Sequence, residues 1–271
     1  MRFVLVFPAL LALLLAPSLA NAQGAVGLEI EAGYQGYYSR AHGPTPVRVR
    51  LTNSGASFRA RVEVDSLLAG EKVTYFTDVD LPQNSEKVVT LYPGHTGFNV
   101  STRVRVLNGE QVVAETAQKM NTVEPTTRLI GVLSPELGTY VGLRDNTPGA
   151  ATEVALLSSQ TLPDRADALT LLSAVVVDGA STDALTDAQR QALRSWVELG
   201  GDLIIAGGPD AARTAAGLSE LLPVRLGATQ DADDLAALGQ GATASRRQAQ
   251  SMLRFRSKTP QFLLVVRKLR S

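Results

Sequence analysis

The sequence predicts two modules in series: an all-β immunoglobulin-like sandwich, then a doubly wound α/β domain. Three observations carry this. Hydrophobic residues alternate with polar ones at period two over residues 26–119. From residue 129 onward the apolar runs are short and unbroken, as in strands buried on both faces of a parallel sheet. Between the last two of these runs lies one strongly marked helix.

In the first module Val47, Val49 and Leu51 alternate with Arg48, Arg50 and Thr52, and Val62 and Val64 alternate with Arg61, Glu63 and Asp65. Further strands are expected at 28–32, 74–81, 87–92, 100–107 and 111–118, separated by turn residues such as Gly43-Pro44, Asn53-Ser54-Gly55 and Pro93-Gly94. Asn108-Gly109 between two valine-rich runs predicts a hairpin with a type I′ turn, which needs positive φ at both central residues. About seven short strands with regular turns make an immunoglobulin-like sandwich. Residues 120–128 have no period and contain Pro125, so they read as a linker or crossover.

In the second module, spanning 129–244, the runs 129–133, 154–157, 174–177 and 203–206 predict buried strands ending in Ser134-Pro135, Ser158-Ser159, Asp178-Gly179 and Gly207-Gly208. Thr186, with Gln189 three positions on, forms a capping box. Ala188, Ala192, Leu193, Trp196 and Val197 then fall on one helical face, and Gly200-Gly201 supplies the left-handed stop. Residues 164–172 and 211–222 predict weaker helices. Strands alternating with helices imply right-handed βαβ crossovers.

The stretch AVVVDGASTDALTDAQRQALRSWVELGGDLIIAGG, residues 174–208, resembles the core of the class I glutamine amidotransferase-like superfamily, especially its non-catalytic branch in exported or membrane-anchored bacterial proteins. The likeness is good over about 35 residues and loose over 129–225. Catalytic members of that superfamily carry a cysteine nucleophile on the turn after a central strand, with a histidine and an acid downstream. Here the turn is Gly207-Gly208-Pro209, the chain has no cysteine, and this module has no histidine. Without a thiolate and a base within hydrogen-bond reach, amidotransferase chemistry is excluded. No Gly-x-Ser-x-Gly elbow exists either, and a Ser-His pair would have to borrow its histidine from the first module.

Residues 1–22 read as a secretory signal peptide: Arg2, an apolar run from Phe3 to Leu15, and a small-residue site at Ala20-Asn21-Ala22. That run is shorter than the roughly 20 residues a membrane-spanning helix requires. The chain is therefore expected to be exported, to the periplasm, cell envelope or exterior of a bacterium. Its zero net charge conceals a split. Residues 23–244 hold 17 Lys+Arg against 26 Asp+Glu, whereas the tail 245–271 holds eight basic residues and no acidic one. Two readings of the tail stay open: a disordered basic segment that meets anionic lipid, or a frame-altered end replacing a natural membrane-anchoring one. The acidic body argues against nucleic acid as a partner.

Candidate sites are few. In open α/β sheets ligands bind beyond the carboxyl ends of the strands, which groups Ser134, Ser158, Asp178, Gly207, Gly208 and Asp210 around one expected crevice. The same residues also make ordinary strand-ending turns. Tyr34, Tyr37 and Tyr38 form an aromatic cluster that could stack on a sugar or peptide, or simply pack at a strand end. His42 and His95 lack partners for a metal site, so no metal and no cofactor is expected. The expectation is a non-enzymatic envelope protein that binds an envelope protein partner, with membrane association of the full-length form. The alternative is a binding module for a glycan or small solute, and a hydrolase survives only if carboxylates act with a recruited metal.

Overall fold

The computed structural model describes residues 25–40, 43–98, 100–136, 138–146, 151–207, 210–222 and 263–266. The expected export segment 1–22 lies outside them, as do His42 and Gly208.

The first module is an immunoglobulin-like β-sandwich. One sheet orders β1 (Val26–Ala32), β3 (Val47–Asn53) and β6 (Ser85–Leu91) as β1-β3-β6. The other orders β4 (Phe58–Leu68), β5 (Glu71–Leu81), β7 (Ser101–Asn108) and β8 (Gln111–Lys119) as β5-β4-β7-β8. All neighbours within these two sheets are antiparallel. The alternating valines turn inward: Val47, Val49, Leu51, Val62, Val64, Val104 and Val106 are buried in one cluster closed by Leu81 and Met120. The polar alternates form charge ladders outside, with Arg105 reaching Glu63 at 2.9 Å and Asp65 at 3.2 Å, and Arg61 reaching Asp78 at 3.0 Å.

Two turns differ from the sequence reading. At the β7–β8 hairpin only Gly109 has positive φ, and Asn108 pairs with Gln111 inside the ladder. The pairing of Asn108 with Gln111 places the turn one residue onward, at Gly109 and Glu110, so glycine takes the first central position, as in a type II′ turn. A turn with both central residues at positive φ lies instead between β4 and β5, at Ala69 and Gly70, with φ of 52° and 86°.

The expected linker is tied down at three points. Met120 is buried in the sandwich. The short strand β9 (Asn121–Thr122) pairs in parallel with β2 (Tyr37–Tyr38). Val123 enters the hydrophobic core of the following module.

That module holds four parallel strands, β10 (Arg128–Leu133), β11 (Thr152–Leu157), β12 (Ala174–Val177) and β13 (Asp202–Ala206), ordered β11-β10-β12-β13. Both faces are covered. Leu129, Leu133, Val175, Val177, Leu203 and Ile205 pack with Leu193, Trp196 and Val197 of a helix, while Ile130, Val132, Val154 and Val176 pack with Tyr140 and Leu143 on the opposite side. Those last two sit on the single-turn helices α1 (Gly138–Val141) and α2 (Leu143–Asn146). The full-length helix is α3 (Asp187–Glu198), with its capping box as expected. Its C-terminus closes in a Schellman motif, Gly201 N–H to Trp196 C=O and Gly200 N–H to Val197 C=O, with Gly200 at φ 102°.

The weaker helices are shorter than the sequence suggested. Residues 164–172 contain one 3-10 turn, Ala168–Leu171, because Asp164 and Arg165 are held by the first module (below). Residues 211–222 split into α4 (Ala211–Ala215) and a 3-10 turn, Ala216–Leu221. In the basic tail, β14 (Leu263–Val266) pairs antiparallel with β13 and makes the sheet five-stranded, where composition alone suggested a segment outside any element.

Candidate functional site

The carboxyl ends of β10, β12 and β13 bring part of the expected crevice together. Asp178 follows β12, its N–H donates to the Leu133 carbonyl, and its Oδ2 accepts from the Tyr140 hydroxyl at 2.6 Å. Burial, followed by the Asp178 acceptor, pushes the Tyr140 phenol well above its ordinary range. Ser134 is buried, and its Oγ accepts the Glu136 N–H at 3.1 Å, a local turn bond. Asp210 comes close: a Cβ built on Gly179 would stand 4.0 Å from its Oδ2 and 3.6 Å from Pro135. Asp210 is already paired with Arg213 at 2.9 Å. Gly207 follows β13 and is partly exposed.

Ser158 does not join this group. It sits after the edge strand β11, where its Oγ takes the N–H groups of Gln160 and Thr161. Tyr140 thus occupies the junction between β10 and β12, where the strand order reverses. Among the described residues, no group of three or more His, Cys, Asp or Glu side chains is arranged to hold a metal ion.

The tyrosines do something other than form a stacking patch. Tyr34 and Tyr37 exchange backbone hydrogen bonds around Gln35 and Gly36, both at positive φ, so the chain folds back in a two-residue hairpin. Gly33 is required here, since a Cβ would stand 2.3 Å from the Tyr37 carbonyl oxygen. The hairpin divides the rings. Tyr38 is fully buried in the sandwich, its hydroxyl on the Gly97 carbonyl at 2.5 Å. Tyr34 points the other way, into the hydrophobic core of the second module, 2 % exposed, its hydroxyl donating to the Ala168 carbonyl at 2.7 Å. Only Tyr37 keeps partial exposure. An aromatic patch needs exposed rings, and burial removes two of the three.

Further contacts reinforce this junction. The Tyr92 hydroxyl donates to the Asp164 carboxylate and accepts the Asp164 N–H, and the Arg165 guanidinium lies 5.1 Å from the Tyr92 ring centre. Arg48 donates to Gln160 at 3.0 Å, and Gly43 N–H to Thr170 Oγ1 at 3.1 Å. The modules therefore meet along the sheet carrying β1, β3 and β6.

Beside this junction lies a cleft of about 560 Å³ lined by both modules. Its lining draws Arg40 and Phe98 from the first module, Pro125 from the crossover, and Leu171, Trp196 and Leu199 from the second module. Phe98 and Leu199 are each 66 % exposed. The Arg40 guanidinium carbon lies 3.5 Å from the Phe98 ring centre, and its Nε donates to the Thr96 carbonyl at 3.1 Å. Among the described residues no carboxylate pairs with Arg40 within 4 Å. Leu67 and Leu68, also exposed, abut the same loop: a Cβ on Gly97 would touch Leu67, and one on Gly94 would touch Leu68. The sequence reading missed this cleft, because its lining from the two modules comes from segments 73 to 159 residues apart. A second depression, of about 610 Å³ beside α3, is polar, and both of its arginines are paired within it, Arg190 with Asp187 and Arg194 with Glu220.

A Ser-His pair does exist within the first module. Ser66 Oγ lies 3.0 Å from His95 Nδ1, but Oγ donates to the Gly94 carbonyl, and His95 is 4 % exposed. A hydroxyl committed to a carbonyl and sealed from solvent is no nucleophile. Burial lowers the His95 pKa to about 4.

Residues 25–121 match a family described as a domain of unknown function, DUF8726. That match covers the sandwich and ends at the crossover. No curated protein is significantly similar to the chain. Among solved structures, an immunoglobulin-like protein from Pseudomonas aeruginosa is 14 % identical, covering 38 % of this chain and 99 % of its own, with a TM-score of 0.25. The sporulation control protein Spo0M from Bacillus subtilis is 7 % identical, covering 37 % of this chain and 50 % of its own, TM-score 0.26. The Amycolatopsis orientalis exo-chitosanase CsxA is 12 % identical, covering 64 % and 26 %, TM-score 0.23. At such scores these likenesses carry no argument about activity, and none bears on the amidotransferase resemblance of residues 174–208. Among the described residues no helix is long and apolar enough to cross a membrane.

Proposed function

We propose that the chain is a non-enzymatic extracytoplasmic envelope protein that acts as an interaction module, membrane-associated in its full-length form. The second module is a doubly wound α/β domain of amidotransferase-like ancestry, retaining the strand–helix–strand of 174–206 without the cysteine its catalytic relatives use. The observation that supports this reading is the junction itself. A buried tyrosine and a tied crossover join two modules firmly, and the cleft beside that junction exposes Phe98 and Leu199 to solvent. Large exposed apolar side chains gathered at one place on a folded body mark an interaction surface.

The test is cross-linking in the native envelope followed by purification through a tag on the chain. One or two specific protein partners, lost when Leu199 and Phe98 are both replaced by serine, are the expected result. Recovery of the chain alone, under conditions that retain known envelope complexes, overturns the reading.

A second reading, a site for a glycan or small solute, draws on the size of the cleft, which lies within the range of small-molecule pockets. A thermal-shift screen against sugars and small solutes separates the two. Stabilisation of the purified chain by one of them at low concentration favours the solute.

A further inference from the structure

We infer that the cleft between the modules takes an extended peptide segment of a partner, one that places a carboxylate beside an apolar side chain. This deepens the interaction reading above and rests on it.

Shape comes first. The site is concave and bounded by two different modules, so a flat surface such as a bilayer would touch the rims at Phe98 and Leu199 without filling the space between. An extended segment fills it. Chemistry comes next. Leu171, Leu199, Pro125 and the buried edge of Trp196 make one side aliphatic and aromatic, suited to an apolar side chain. Gly201 lies against the Trp196 indole, where a Cβ would stand 2.3 Å from the ring, and this close fit fixes the floor. Facing them is Arg40, spread on Phe98 and held by Thr96, an oriented guanidinium with no described carboxylate to neutralise it. A guanidinium held in a plane is suited to a carboxylate. Glu124, which also lines the cleft, disfavours a purely anionic ligand, so the segment carries an apolar residue beside its single carboxylate. A sugar is the poorer fit, because one face of Phe98 is already covered by the guanidinium.

The experiment selects from a phage-displayed random peptide library on the purified full chain. Enriched peptides are expected to carry Asp or Glu next to Leu, Ile or Phe. Their affinity should fall about tenfold or more in both Arg40→Gln and Leu199→Ser, the loss expected of a charge-assisted hydrogen bond and of a buried leucine contact. It should stay unchanged in Val88→Ser, an exposed apolar position on β6 away from the cleft. The inference is overturned if no peptide is enriched, if enriched peptides lack an acidic residue, or if both cleft variants bind them as well as the parent does. It is equally overturned if Arg40 and Leu199 instead govern binding to phosphatidylcholine–phosphatidylglycerol vesicles or self-association in the ultracentrifuge. An envelope partner retained by the chain while these peptide results fail would leave the interaction reading standing and remove only the cleft. No partner and no peptide would remove both.

Discussion

The hydroxyl of Tyr34 donates to the carbonyl oxygen of Ala168 at 2.7 Å, across 134 residues of chain and from one module into the core of the other. Burial is the main cause that raises the pKa of its phenol well above the ordinary value, which favours the protonated donor. Tyr34→Phe keeps the packing and removes the donor, at an expected cost of about 1–3 kcal/mol. Tyr34→Ala also empties the pocket, at about 3–5 kcal/mol. Urea unfolding checks this with two probes, fluorescence of the single tryptophan, Trp196, for the second module and circular dichroism for the whole. The transitions should coincide in the parent and separate in Tyr34→Ala. Coincident, unshifted curves in that variant would show that the tyrosine does not couple the modules.

Ala69 holds φ at 52° where a glycine would be at ease, and its N–H is met by Thr96 Oγ1 at 2.8 Å. Left-handed backbone costs an alanine about 1–2 kcal/mol, and a glycine adds about 0.4–1 kcal/mol of unfolded-chain entropy. Ala69→Gly should therefore stabilise slightly, raising the melting temperature by a few degrees at most. A clear fall would contradict the assignment of the turn.

His95 provides a pH dependence whose sign is defined. Its folded pKa is lowered to about 4 by burial alone, against 6.5 for the free side chain. The fold therefore prefers the neutral ring. Its stabilising contribution is complete above the unfolded pKa and declines as pH falls from about 6.5 to 4, by up to about 3 kcal/mol. Denaturant midpoints measured between pH 7 and pH 4 should fall more steeply in the parent than in His95→Gln. Parallel profiles would rule the residue out as the source.

The capping box of α3 supports a graded comparison. Thr186→Ala removes an N-cap, and a loss of about 1 kcal/mol is expected. Gln189 does more than complete the box, because its side-chain nitrogen donates to the Ser159 carbonyl at 2.7 Å and to the buried Leu162 carbonyl at 2.8 Å. Gln189→Ala should cost more than Thr186→Ala, since it strands acceptors as well as the cap. Chemical denaturation of the two variants side by side decides the order.

What the sequence determined by itself was local. Alternation at 47–51 and 62–64 assigned the inward face of the sandwich, unbroken runs at 129–133 and 174–177 announced strands covered on both sides, and Thr186, Gln189, Gly200 and Gly201 marked both ends of α3. Each is a pattern within a few residues, where burial or backbone geometry imposes a period or a residue type. The tertiary structure alone decided that Tyr34 is a peg and not a stacking surface, that the Ala69 N–H meets Thr96, that Leu263–Val266 pairs with β13, and that Phe98 and Leu199 line one cleft. These relationships join positions tens to more than a hundred residues apart. Two side chains brought together only by the folding of the intervening chain leave no periodicity in either neighbourhood.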